Sequence, residues 1–206
     1  MDDKARRLFD LSGSVAVVTG GGSGLGQGMA LALAHGGADV AVVGRRLDKL
    51  EETARQVRQL GRRALAVAAD VTREEDVERM ADTVERELGP IGILLNAAGV
   101  TVIKPTTQLS LQEWQKVVDT NLTGTFLCTK VVGARMLQRR RGKIINIASL
   151  TSRIGFPQRA VYGATKGGVS LFTQSVAVEW AEWGVQVNAI APGFFRTPLH
   201  HHLFEM

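Results

Sequence analysis

Residues 149–166 read SLTSRIGFPQRAVYGATK and carry three polar groups suited to proton chemistry: the Ser149 hydroxyl, the Tyr162 phenol and the Lys166 ammonium. Tyr162 and Lys166 are four residues apart, and on a helix that spacing puts them on one face, a turn apart. An unperturbed tyrosine titrates near pH ~10 and exchanges protons poorly in neutral solution. A fixed positive charge beside the phenol favours the phenolate and lowers that pKa. This is the arrangement a general acid–base tyrosine requires. Taken alone, the Y-x-x-x-K spacing also describes an ordinary solvent-facing helix, so its weight depends on what surrounds it.

Short apolar runs alternate with longer amphipathic stretches along the chain. The runs predict strands over 15–19, 39–43, 64–69, 91–96, 143–148 and 185–190, and the stretches between them predict helices over 25–35, 47–60, 73–88, 110–119, 122–139 and 160–183. Strands of near-continuous Val, Ile, Leu and Ala are buried on both faces. Their alternation with helices predicts βαβ units, a parallel sheet and right-handed crossovers. The expected fold class is α/β, doubly wound, with residues 1–206 in one domain and no linker or repeat dividing them. In such sheets ligands bind in the crevice beyond the carboxyl ends of the strands.

The segments that follow the strands carry the remaining candidates. After the first comes Thr19-Gly20-Gly21-Gly22-Ser23-Gly24-Leu25-Gly26, a G-x-x-x-G-x-G pattern rather than a strict G-x-G-x-x-G. Glycines there let the backbone turn tightly and approach a pyrophosphate resting on a helix amino terminus, which favours dinucleotide binding over a plain βα turn. At the end of the second strand, where an acidic residue would accept bonds from ribose hydroxyls, the chain has Gly44-Arg45-Arg46. Nothing there repels a 2′-phosphate and two guanidinium groups can clamp it, favouring NADP(H) while leaving NAD(H) open; as an alternative, the pair is a solvated helix cap. Asp70 with Val71 follows the third strand and can meet an adenine edge, cap a helix, or both. Asn96-Ala97-Ala98-Gly99 places small residues where a cofactor must lie close to the backbone, and by itself is also a turn. Asn121 stands at a helix junction, where asparagine is a common cap, and Ala191-Pro192-Gly193-Phe194-Phe195-Arg196-Thr197 follows the last strand.

Composition narrows the class. The chain has 206 residues, 45% hydrophobic and 22% charged, ordinary for a soluble globular protein. No run reaches signal-peptide or membrane-spanning character, and the single cysteine, Cys128, cannot form an internal disulfide, which together predict a cytoplasmic protein. The net charge of +5 comes from scattered pairs and one triplet, Arg6-Arg7, Arg45-Arg46, Arg62-Arg63 and Arg139-Arg140-Arg141, read mainly as solvated faces and helix ends rather than a nucleic-acid surface. His200-His201-His202 cannot all face one ion on regular structure, and no Cys, Asp or Glu cluster accompanies them, so no metal is expected.

Taken together and in order, these features resemble the classical short-chain dehydrogenase/reductase family along essentially the whole chain. The family's T-G-x-x-x-G-x-G element matches Thr19, Gly20, Gly24 and Gly26; its N-N-A-G element appears as Asn96-Ala97-Ala98-Gly99, with alanine for the second asparagine. Its active-site tetrad corresponds to Asn121, Ser149, Tyr162 and Lys166, and Pro192-Gly193 with Thr197 matches the segment holding the nicotinamide end. The resemblance implies strand order 3-2-1-4-5-6 and an NAD(P)-dependent interconversion of a secondary alcohol and a ketone. It further implies Tyr162 as acid–base, Ser149 orienting the reacting oxygen, Lys166 on the nicotinamide ribose, Asn121 positioning a relay water, and a homodimer or homotetramer. That oligomer would pair the helices after Asn121 and around Tyr162; the apolar Leu171, Phe172, Val176 and Trp180 suit it, although a buried core explains them equally.

Residues 24–30 and 143–149 are similar to the sugar-acid branch, the gluconate and deoxygluconate dehydrogenases, which places Thr151, Arg153 and Gln158 near a hydroxylated or carboxylated substrate. A 3-oxoacyl-thioester reductase is the rival inside the family, and a non-catalytic dinucleotide-binding scaffold or sensor is the rival outside it. Family members continue past the sixth strand with a helical lid, a further helix and a seventh strand, whereas this sequence stops at Met206. Weak or no activity is therefore expected of this polypeptide by itself, with its sixth strand an exposed sheet edge.

Overall fold

A computed structural model of the chain describes residues 8–197. Six strands, β1 (Val15–Thr19), β2 (Asp39–Gly44), β3 (Ala64–Ala68), β4 (Ile91–Asn96), β5 (Gly142–Ile147) and β6 (Val185–Ile190), form one sheet in the order β3-β2-β1-β4-β5-β6. Every pairing is parallel. Between them run α1 (Gly24–His35), α2 (Leu47–Gln59), α3 (Glu74–Glu87), α4 (Leu111–Val118), α5 (Gly124–Gln138) and α6 (Ala160–Trp180). The sheet is the expected doubly wound one, and element ends fall within one or two residues of the sequence expectation, apart from 160–183, whose last residues form a separate 3₁₀ turn after α6.

Side chains alternate across each strand, so β-branched runs can serve two cores at once. Val15 and Val17 of β1 and Ala41 and Val43 of β2 face α3, α5 and α6, where Met80, Val84, Met136 and Val176 pack. Ala16, Val18, Val40 and Val42 face the other way, onto Ala30 and Ala34 of α1 and Leu50, Ala54 and Val57 of α2. Of the four apolar residues expected at an oligomer face, Val176 is buried, and Phe172 and Trp180 pack against this core. Leu171 is 64% exposed.

One of the arginine pairs is more than a solvated face. Asp39, at the start of β2, accepts bonds from Arg62 Nη2 (2.9 Å), the Arg63 amide (3.0 Å) and Arg63 Nε (2.8 Å). Arg63 Nη2 continues to the Leu88 carbonyl at 2.6 Å. The cluster ties the turn before β3 to β2 and to the end of α3. Burial pushes the Asp39 carboxyl up, but the Arg63 amide and side chain and the Arg62 charge outweigh it and hold the pKa below its usual value. Asp39→Asn is expected to cost about 1–2 kcal/mol in urea unfolding at neutral pH. Because the folded pKa is depressed, the contribution is present above the unfolded-chain value of about 3.9 and is lost as pH falls through the folded value. Wild type and variant should therefore converge in strong acid; a gap that persists there would assign the loss to packing.

Candidate active site

A cleft of about 270 Å³ opens at the carboxyl ends of the strands, large enough for part of a ligand rather than a single water. Its lining includes Gly20, Ser23, Gly24, Leu25 and Gly26 after β1, Arg45 and Arg46 after β2, Asp70 and Val71 after β3, and Ala97, Ala98 and Gly99 after β4. Ser149, Tyr162 and Lys166 line it after β5, and Pro192, Gly193 and Thr197 after β6. These candidates, separated by up to 177 positions from Gly20 to Thr197, meet because a parallel sheet delivers every strand's carboxyl end to one edge.

Two residues expected in the cleft lie behind it. Asn96 is buried beneath the wall, where Nδ2 donates to Asn146 Oδ1 (2.9 Å) and Thr129 Oγ1 (3.2 Å). Asn146 Nδ2 in turn donates to Thr173 Oγ1 at 2.9 Å. Asn96 and Asn146 are register partners on β4 and β5, so this network fixes α5 and α6 against the sheet. Asn121 is fully buried and is not a cap: it sits in a π-helical turn, Asp119–Thr123, inside the run from α4 to α5. Its amide accepts from the Val100 N–H (2.8 Å) and donates to the Val100 carbonyl (3.0 Å) and Thr165 Oγ1 (3.2 Å). It thus joins the loop after β4 to α6. Such turns occur often at functional sites.

Asp70 does not cap α3 either. The cap position is Arg73, without a side-chain bond, while Asp70 Oδ1 closes a turn by accepting from the Thr72 amide (3.0 Å) and hydroxyl (2.8 Å). Of the residues expected near the substrate, Thr151, Arg153 and Gln158 do not line the cleft. The backbone of Gln158 instead receives the Lys104 amide at 3.2 Å. His200, His201 and His202 lie outside the described residues.

Among the lining residues, Lys49 carried no expectation from the sequence. Lys49 borders the cleft beside Arg45 and Arg46; its position three residues after Arg46, on α2, puts the two on one face and is the signal that was available. Phe195 also lines it, and its neighbour Phe194 packs edge-on against Phe156, ring centroids 5.5 Å apart, joining the segments after β5 and β6. Arg46 Nη2 reaches Ser23 Oγ at 3.4 Å, so the glycine loop and the end of β2 meet.

The glycine loop is compact because two positions exclude a side chain. Gly20 has φ +66°, and a Cβ there would lie 2.8 Å from Ala98 Cα; one on Gly26 would lie 2.3 Å from the Gly20 carbonyl oxygen. The loop consequently folds back on itself at the amino end of α1, the cradle a pyrophosphate needs.

The inward stripe of α6 includes Tyr162, Thr165, Lys166, Val169, Thr173 and Val176, so the polar candidates are carried on the face that packs on the sheet. Tyr162 and Lys166 are 6% and 5% exposed. Lys166 Nζ donates to the Ile147 carbonyl at 2.6 Å and lies 5.7 Å from the Tyr162 ring centroid. Burial pulls the Lys166 ammonium down to about 8. Ser149 Oγ accepts from the Thr151 amide at 3.2 Å, which sets the turn after β5. Burial pushes the Tyr162 phenol above its ordinary pKa, while its hydrogen bond with Ser149 and the Arg159 charge pull it back. The net direction is opposite to that expected from the Lys166 spacing alone, because desolvation at this wall outweighs the charges around it.

A doubly wound parallel sheet, a glycine cradle at the first helix and a tyrosine–lysine pair beyond the fifth strand define a nicotinamide-dinucleotide oxidoreductase. The chain belongs to the short chain dehydrogenase family, whose model matches residues 14–206, and is an oxidoreductase acting on CH–OH groups. It is 38% identical over 191 residues to 2-dehydro-3-deoxy-D-gluconate 5-dehydrogenase of Formosa agariphila, covering 92% of this chain and 72% of that one. It is 40% identical over 194 residues to 3-oxoacyl-(acyl-carrier-protein) reductase of Synechocystis, covering 94% and 78%. Its structure matches a gluconate 5-dehydrogenase from Burkholderia cenocepacia in complex with NADP and tartrate, at TM-score 0.94 and 36% identity, covering 98% of this chain and 79% of that one.

Proposed function

We propose that the chain interconverts a secondary hydroxyl and a ketone on a sugar acid of the gluconate type, using NADP(H). The observation that carries this reading is one cleft with the Ser149–Tyr162 hydroxyl pair on one wall and Arg45, Arg46 and Lys49 on another. The similarity to a deoxygluconate dehydrogenase and to a gluconate dehydrogenase holding NADP supports it. A bound nicotinamide would supply the hydride acceptor or donor.

The chain's own residues do the rest. Gly20 to Gly26 seat the pyrophosphate on the α1 amino terminus, and Arg45 with Arg46 binds a 2′-phosphate. Tyr162 takes the proton from the substrate hydroxyl in oxidation and returns it to the carbonyl oxygen in reduction. Ser149 orients that oxygen, Lys166 holds ribose hydroxyls, and Asn121 steadies the proton path at its inner end.

Fluorescence titration with NADPH and NADH tests the coenzyme. NADPH is expected to bind more tightly, and Arg45→Ala/Arg46→Ala to weaken NADPH by about 10-fold or more while leaving NADH little changed. Equal loss for both coenzymes would place the arginines away from the 2′-phosphate. A turnover panel of gluconate, 5-ketogluconate and a 3-oxoacyl thioester decides the substrate. Preference for the thioester would favour the acyl reductase reading that the 40% identical relative supports.

A homodimer or homotetramer in the cytoplasm completes the proposal. It is supported by the exposed apolar side chains of Phe126 on α5 and Leu171 and Val178 on α6. No described helix is long and apolar enough to cross a membrane.

A further inference from the structure

Arg159 stands at the amino end of α6, three residues before Tyr162, and is only 7% exposed. A guanidinium is expensive to bury, and a cation at a helix amino terminus opposes the helix dipole. Neighbouring groups must offset both. One is Thr101, in the loop after β4, whose Oγ1 accepts from Arg159 Nη1 at 3.1 Å. That bond closes the loop after β4 over the start of α6, alongside the Lys104 amide bond to the Gln158 carbonyl. Arg159 does not line the cleft that Tyr162 borders.

We propose that Arg159 is a positioning residue for the acid–base step: its guanidinium, enclosed at the amino end of α6 and fixed to Thr101, is a second cation that stabilises the ionised Tyr162 phenol. The proposal rests on the reading of Tyr162 as the acid–base. The two groups act on each other: the tyrosine supports the arginine's charge against burial, and the arginine works with Ser149 against the burial of the phenol. Lys166, from the same helix, donates to the Ile147 carbonyl. From the other elements packed here, the loop after β5 brings the Ser149 hydroxyl, and the turn at Asn121 brings an uncharged amide. The charges of the loop after β4 and of α4, Lys104 and Glu113, close on each other at 2.6 Å. The segment after β6 carries Arg196.

Tyr162 is the single tyrosine of the chain, so tyrosinate absorbance in the near ultraviolet reports this phenol alone. Stopped-flow pH jumps on the whole protein read its ionisation before any alkaline unfolding. Arg159→Gln and Arg159→Met are expected to raise the midpoint by about one pH unit, and Arg159→Lys to hold it near wild type. The basic limb of the rate of alcohol oxidation should move with it. An unchanged midpoint in a folded charge-free variant overturns the proposal. If neither charge-free variant folds, Arg159→Lys decides: a midpoint raised by a full unit with the charge retained overturns it, and a wild-type midpoint supports it. The absorbance readout does not need turnover, so it tests this proposal separately from the substrate assignment, which the turnover panel tests.

Discussion

Tyr162→Phe is expected to lower turnover by at least about 10²-fold, the low end of what positioned proton transfer contributes. Dinucleotide affinity should stay within a few-fold of wild type. The substitution removes one oxygen and keeps the ring, which is buried against the sheet and beneath Lys166, so the packing of α6 is preserved. On the proposed mechanism the variant loses the proton acceptor for the substrate hydroxyl, together with the partner of the Ser149 hydroxyl. In the oxidative direction the phenol must first ionise. Since burial holds its pKa above the ordinary value, wild-type oxidation should rise with pH through the neutral range and beyond. That dependence should disappear in the residual activity of the variant. Near-wild-type turnover by Tyr162→Phe would remove the tyrosine from the mechanism, whatever its neighbours do.

Gly26→Ala should be the most damaging single methyl in the molecule's first helix. The added carbon would lie 2.3 Å from the carbonyl oxygen of Gly20, and that neighbour is backbone, which cannot swing aside. Gly20 cannot retreat either: it has φ +66° and packs on the backbone of Ala97 and Ala98. The loop must open, at about 1–3 kcal/mol in stability, the usual cost of overpacking, and the seat for a pyrophosphate opens with it. Coenzyme affinity should fall beyond the tenfold range. Gly28, two residues further along the same helix, is the control, because a Cβ there meets nothing. Gly28→Ala should gain about 0.5–1 kcal/mol from helix propensity and keep coenzyme binding. Thermal unfolding and NADPH titration of the pair separate the two outcomes; equal behaviour would mean that the cradle tolerates a side chain.

The amino-acid sequence by itself determined a parallel sheet and the set of segments that meet at its carboxyl edge, while the strand order followed from the family resemblance. The reason is local: runs such as VAVVT and VAVV satisfy both faces of a buried strand, helical stretches of matching length force parallel crossovers, and parallel strands end on one side. Glycine at 20 and 26, two arginines after β2, and Tyr162 four residues before Lys166 are legible because each depends on chain neighbours. What only the tertiary structure decided depends on contacts between segments far apart in sequence. Asn121 reads as a cap until Val100 and Thr165 are seen on its amide, and Asn96 reads as a cleft residue until Asn146 and Thr129 draw it beneath the wall. Arg159 looks like one more surface cation in a basic chain. Its burial and its bond to Thr101 come from the packing of two loops, and desolvation, which outweighs the hydrogen bond and the charge acting on Tyr162, is a property of that packing and of no residue alone.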